Sequence, residues 1–171
     1  EFRNLIVLND DQIIRFSELS KGDHLFKGIR GSLSEKFSLR HTKREKIILD
    51  NFPYVKSVTV RSDFPGKILI EIEERIEVAY LAINDGFVIV DSKGIALEVI
   101  DKALDLNIPV IEGIMVNYCR IGEEVTVDIQ EYLNQSLVLL NHIINADKDL
   151  RNNVILLEKI ISVRPVNNRI S

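Results

Sequence analysis

From Val55 to Arg61 apolar and polar residues alternate, Val58 and Val60 on one side and Ser57, Thr59 and Arg61 on the other. That is the period of a strand buried on one face. The alternation resumes as Ile68, Ile70 and Ile72 against Leu69, Glu71 and Glu73. Between the two stretches, Asp63-Phe64-Pro65-Gly66 reads as a turn, since proline presets one backbone angle and glycine accepts positive φ. Together they predict a hairpin with one apolar face. Upstream the pattern lengthens to a helical period. Arg3 to Leu8 reads as a short strand, and Asn9-Asp10-Asp11 supplies oxygens for a helix start. Ile13, Ile14 and Leu19 then share one face until Ser20-Lys21-Gly22 ends the helix. Thr42-Lys43-Arg44-Glu45 has the spacing of a capping box, in which each side chain bonds the other residue's free amide. Ile47, Ile48 and Phe52 follow as an apolar face, and Pro53 stops the helix. The order is β-α-α-β-β, with the helices as cover for the apolar sheet face.

Beyond this, Val78 to Ile83 and Phe87 to Val90 are apolar strands separated by Asn84-Asp85-Gly86, which predicts a hairpin with a three-residue loop. Asp91-Ser92-Lys93-Gly94 is a second turn and Ile95 to Ile100 a third strand, giving a meander. Asp128 and Glu131 mark a helix start, and Ile129, Leu133, Leu137, Leu140 and Ile144 repeat at helical spacing to about Ala146. This helix is expected to lie on the sheet. Val154 to Leu157 and Ile160 to Val163 are later strand candidates. Asn167-Asn168 is a turn whose returning strand, starting at Arg169, is expected to be missing, which would leave an exposed edge.

Composition adds limits rather than a function. With 171 residues, 46% hydrophobic and 28% charged, the chain has globular composition. No stretch approaches the ~20 apolar residues of a membrane-spanning helix. Residues 1–75 carry 14 Lys and Arg against 12 Asp and Glu, while residues 76–171 carry 8 against 14. Neither balance resembles a basic nucleic-acid footprint. Cys119 is the only cysteine, so no disulfide framework or thiolate metal cluster is expected. His24, His41 and His142 stand far apart without a metal-ligand pattern, and no paired acid and base or phosphate-binding loop is evident. The expectation is a non-catalytic protein without cofactor or metal.

One further pattern is more specific. Phe52-Pro53-Tyr54-Val55-Lys56-Ser57-Val58-Thr59-Val60-Arg61, followed by Phe64-Pro65-Gly66-Lys67 through Glu74-Arg75, resembles the POTRA domain of the FtsQ/DivIB family. The order continues with Glu74-Arg75-Ile76-Glu77-Val78-Ala79-Tyr80, then Val90-Asp91-Ser92-Lys93-Gly94, then Ile108-Pro109-Val110-Ile111-Glu112-Gly113, which are similar to the opening of that family's β-domain. Pro53, Val55, Arg61, Pro65, Gly66, Glu74, Arg75, Asp91, Gly94, Pro109 and Gly113 carry the resemblance as structural motif residues. Glu77 departs from it, standing where the family usually has proline.

The resemblance implies an α+β chain, with a POTRA-like β-α-α-β-β domain over residues 1–75. A mainly antiparallel β-domain with one long helix would follow over 76–171, truncated at its carboxy-terminal end. It implies a cell-division protein of the membrane, anchored by an upstream helix and facing outward at the division septum. Its partners would be FtsL-like and DivIC/FtsB-like proteins, and its role the control of septal peptidoglycan synthesis. Ser162, Val163, Arg164, Val166, Arg169 and Ile170 are the candidate partner-binding residues, as an edge that accepts another chain. An alternative rests on Lys27-Gly28-Ile29-Arg30-Gly31, whose Gly-x-x-Gly is what a KH-like RNA-binding module places between two helices of a similar β-α-α-β-β order. The near-neutral charge of that half speaks against it.

Overall fold

The computed structural model describes residues 40–63, 67–101, 108–149, 155–166 and 169–170. The chain divides into two compact units, Glu1–Arg75 and Ile76–Ser171. The strand and helix read over residues 3–22, the Gly28 to Gly31 segment, and Pro65 and Gly66 lie outside the described residues.

In the first unit α1 spans Thr42–Asn51 and is followed by β1, Val55–Asp63, and β2, Lys67–Glu74. The strands pair antiparallel from Asp63 opposite Lys67 to Val55 opposite Glu74. The alternation places Val58, Val60, Ile70 and Ile72 inward, where they pack with Ile48 and Phe52 of the helix side. Val55 is also buried although it lies three residues from Val58, an odd separation. A register shift between Val55 and Ser57 explains this, because the extra residue of a bulge reverses the in-out parity. The helix starts one residue earlier than the capping box requires. His41 is the N-cap and makes no side-chain cap, so Thr42 is already helical and the box does not form. Glu45 points instead toward β1, where its Oε1 accepts the Val60 N–H at 2.9 Å. Phe52 ends the helix in extended geometry, its N–H bonded to the Ile48 carbonyl, as a residue before proline favours.

The second unit holds β3, Ala79–Ile83, β4, Gly86–Val90, and β5, Ala96–Ile100, in the antiparallel order that the sequence predicts. The first connection is tighter than expected. Ile83 pairs with Gly86, so the loop is the two residues Asn84-Asp85 and the glycine belongs to β4. Gly86 has φ +146°, which side chains rarely adopt, and a Cβ there would fall on the Ile100 carbonyl oxygen. Glycine is needed because β5 passes close by.

Two short strands then join the other side of the sheet in parallel: β6, Val110–Ile111, beside β3, and β9, Ser162–Val163, beside β6. Among the described residues the sheet has the order β5-β4-β3-β6-β9. Parallel neighbours need a long crossover. Between β6 and β9 that crossover contains a ribbon of β7, Val116–Tyr118, and β8, Thr126–Val127, and then α2, Gln130–Asp149. Leu133, Leu137 and Leu140 of α2 are buried against Val78, Leu81, Val88, Val90 and Ala96, so the helix lies on the sheet. Ile129 does not join this stripe. It precedes the helix and is 40% exposed, because Asp128 holds the chain back by accepting the N–H groups of Met115 and Ile129 through Oδ1.

Two strand expectations at the end are corrected. Leu157–Lys159 forms a 3-10 turn rather than the end of a strand from Val154. The carboxylate of Asp147 accepts the N–H groups of Leu156 and Leu157, at 2.7 and 3.0 Å, and this turns the chain. The returning strand expected to be missing is present in short form. β10, Pro165–Val166, pairs antiparallel with β11, Arg169–Ile170.

Candidate functional site

The candidate segment begins in β9, the outer strand of the sheet among the described residues. Val110 N–H bonds to the Ile161 carbonyl at 3.0 Å and Glu112 N–H to the Val163 carbonyl at 2.9 Å. Main-chain groups alternate sides along a strand, so those of Ser162 project from the side of β9 away from β6. Val163 is buried in the core while Ile161, just before the strand, is 88% exposed. The Arg164 side chain turns back to Glu112, whose Oε2 accepts its Nη2–H at 2.5 Å. Both side chains are well exposed, so this pair contributes little stability, within about 0–1 kcal/mol. Val166 is half exposed on β10, and Arg169 and Ile170 form the paired return strand. The six candidate residues thus fall on β9, on the residue after it, and on the β10–β11 pair.

The described motif residues lie mostly at turns and strand ends. Asp91, 3% exposed, accepts the N–H groups of Lys93 and Ile95 through Oδ1 at 2.8 and 2.9 Å, closing the turn between β4 and β5. Gly94 completes that turn at φ +75°. Asn141 of α2 donates to the Ser92 carbonyl at 3.2 Å, tying the helix to the same turn. The Pro109 carbonyl accepts the Tyr80 N–H at 2.9 Å, which starts the parallel pairing of β6 with β3. Gly113, at φ +78°, ends β6 with Arg164 alongside. In the first unit Pro53 follows the last turn of α1, and Val55 and Glu74 face each other at the open end of the hairpin. Arg61 faces Glu71 across the strands at 3.7 Å. Arg75 N–H bonds to the Tyr54 carbonyl at 2.7 Å.

One strand margin is closed by side chains that the sequence reading did not single out for this. The Val60 main chain faces away from β2. Its carbonyl accepts the His41 N–H at 2.7 Å and its N–H is taken by Glu45. Arg40 grips both oxygens of that carboxylate, at 3.0 and 2.8 Å. The His41 ring, 1% exposed, meets the Ser62 hydroxyl through Nε2 at 2.8 Å. Burial first and Arg44 second hold this imidazole below the ordinary histidine value, and Glu45 offsets part of that. The sequence signal was faint: an acidic residue in the first turn of a helix suggests a cap before it suggests an edge closure.

Reactive groups are sparse among the described residues. Cys119 is half-buried beside Tyr118, and burial pushes its thiol above the usual range, away from the nucleophilic thiolate. Tyr118 donates to Glu123 at 2.8 Å, which raises its own titration. No three His, Cys, Asp or Glu side chains among the described residues are placed to hold a metal, and no described helix is long and apolar enough to cross a membrane.

Residues 1–75 match the POTRA domain, FtsQ-type, a stretch that includes Gly28 to Gly31. The cell division protein DivIB of Clostridium acetobutylicum is 28% identical over 131 residues, which is 75% of this chain and 48% of that protein. DivIB of Clostridium tetani is 25% identical over 118 residues, 69% of this chain and 40% of that protein. The chain thus spans about half the length, or less, of these curated relatives.

Proposed function

We propose that this chain, whose residues 1–75 match the FtsQ-type POTRA domain and which is similar to the DivIB cell division proteins, is a non-catalytic scaffold of the division machinery of the FtsQ/DivIB type, working by main-chain recognition. Its partners are FtsL-like and DivIC/FtsB-like proteins, bound outside the cytoplasmic membrane at the septum, with an upstream helix as anchor. Through them it controls septal peptidoglycan synthesis. The reaction chemistry belongs to the proteins it gathers.

The observation that carries this reading beyond the family is the outer face of β9. Ser162 offers one N–H and one carbonyl on the side away from β6, flanked by the exposed apolar side chain of Ile161. This is what an added strand uses: main-chain bonds for affinity and neighbouring side chains for specificity. β1, by contrast, has its Val60 main chain already taken.

The test is co-purification with the extracellular parts of FtsL-like and DivIC/FtsB-like proteins. Ser162→Pro removes the outward N–H without touching the bonds from Val110 and Glu112, so it keeps the sheet and lowers partner binding at least tenfold. Failure of the unsubstituted, folded chain to bind either partner would overturn the proposal. Equal binding by Ser162→Pro would move the docking site away from this edge.

A further inference from the structure

The group of residues around His41 is used by nothing described above except the closure of β1, yet it has the parts of a proton-sensitive latch. His41 makes three links across the seam between α1 and β1. Its N–H holds the Val60 carbonyl, its own carbonyl accepts the first helical N–H groups, from Arg44 and Glu45, and its ring reaches Ser62 on β1. Nδ1 of the same ring is buried and has no hydrogen-bond partner. The neutral imidazole tolerates this arrangement, because a bare lone pair at Nδ1 costs less than a buried N–H without an acceptor. The imidazolium must carry a proton on both nitrogens, and the one on Nδ1 faces no acceptor.

The surrounding charges add to the cost of the cation. The ring sits at the amino terminus of α1, the positive end of the helix dipole, and Arg44 lies close by. From β1 the facing group is the uncharged Ser62 hydroxyl, while Arg61 is exposed on the other face with Glu71. Among the described residues Glu45 is the compensating anion, and its oxygens are already committed to Arg40 and to Val60 N–H.

We propose that His41 is a proton-sensitive latch: neutral, it locks the start of α1 onto β1, and on protonation it releases that end of the helix and uncovers the β1 margin at Val60. The direction follows from linkage. The folded unit holds the imidazole below the unfolded value of 6.5, so the unfolded or open form binds the proton better. The stabilisation is complete above that value and is lost as pH falls below it toward the depressed folded value.

Hydrogen exchange of the whole chain, compared at pH 7.5 and 5.5 after correction for intrinsic rates, reads the latch directly. Protection in residues 41–51 and at Val60 falls by up to about tenfold at the lower pH, the factor one pH unit below the unfolded value provides. His41→Gln removes this acid dependence, whereas His142→Gln, on the exposed face of α2, retains it. Should His41→Gln fail to fold, an NMR titration of the His41 ring in the unsubstituted chain decides. A ring that titrates at or above 6.5, unchanged protection at pH 5.5, or the same acid dependence in His41→Gln each overturns the proposal.

Discussion

Replacing Glu45 by alanine tests whether this carboxylate is a structural closure rather than a helix cap. Its side chain is 9% exposed and accepts three hydrogen bonds, two from Arg40 and one from Val60 N–H. Arg40 is 43% exposed, so solvent screening limits the ion-pair share to about 0.5–1 kcal/mol. Val60 is fully buried, and leaving its N–H without an acceptor costs about 1–3 kcal/mol. The expected loss for Glu45→Ala is therefore about 1–3.5 kcal/mol, once the better helix propensity of alanine has returned a few tenths. Glu45→Gln keeps an oxygen for Val60 but turns an amide toward the guanidinium, and should cost about half as much. The measurement is urea unfolding followed by the amide resonances of α1 and β1, which report on this unit separately. Double substitution with Arg40→Ala isolates the ion-pair term. Equal losses for Ala and Gln, or a loss below about 0.5 kcal/mol for Ala, would refute the assigned role of Val60 N–H.

Two further substitutions probe the second unit. Gly86→Ala places a Cβ on the Ile100 carbonyl and 3.0 Å from Asp101 Cα at a φ that alanine rarely adopts. It should destabilise this unit by about 2–4 kcal/mol in urea unfolding, and a neutral effect would mean that β5 does not cross here. Asp91→Ala frees the Lys93 and Ile95 amides and should cost about 2–3 kcal/mol, with Asp91→Asn recovering part of it; amide exchange at Ile95 reports the lost bond.

The amino-acid order by itself determined the local pieces. The two-residue period of Val58, Val60, Ile70 and Ile72 put those side chains in the first core, and the spacing of Leu133, Leu137 and Leu140 put one face of α2 on the sheet. Such periods are set by the strand and helix backbone, so they can be read without knowing any partner. The motif succession from Phe52 to Gly113 likewise pointed to the family that the comparisons support, because turn residues such as Asp91 and Gly94 fulfil local backbone needs. Tertiary structure decided what depends on residues distant in sequence. The parallel addition of β9 beside β6, and with it the pairing of Arg164 with Glu112, arises only when the crossover through α2 folds back on the sheet. The same is true of Glu45: its spacing from Thr42 suits a cap, but the unsatisfied N–H of Val60 lies within reach only after β1 packs beside α1. A buried donor without another acceptor outcompetes a helix end that water can satisfy, and no local pattern records that competition.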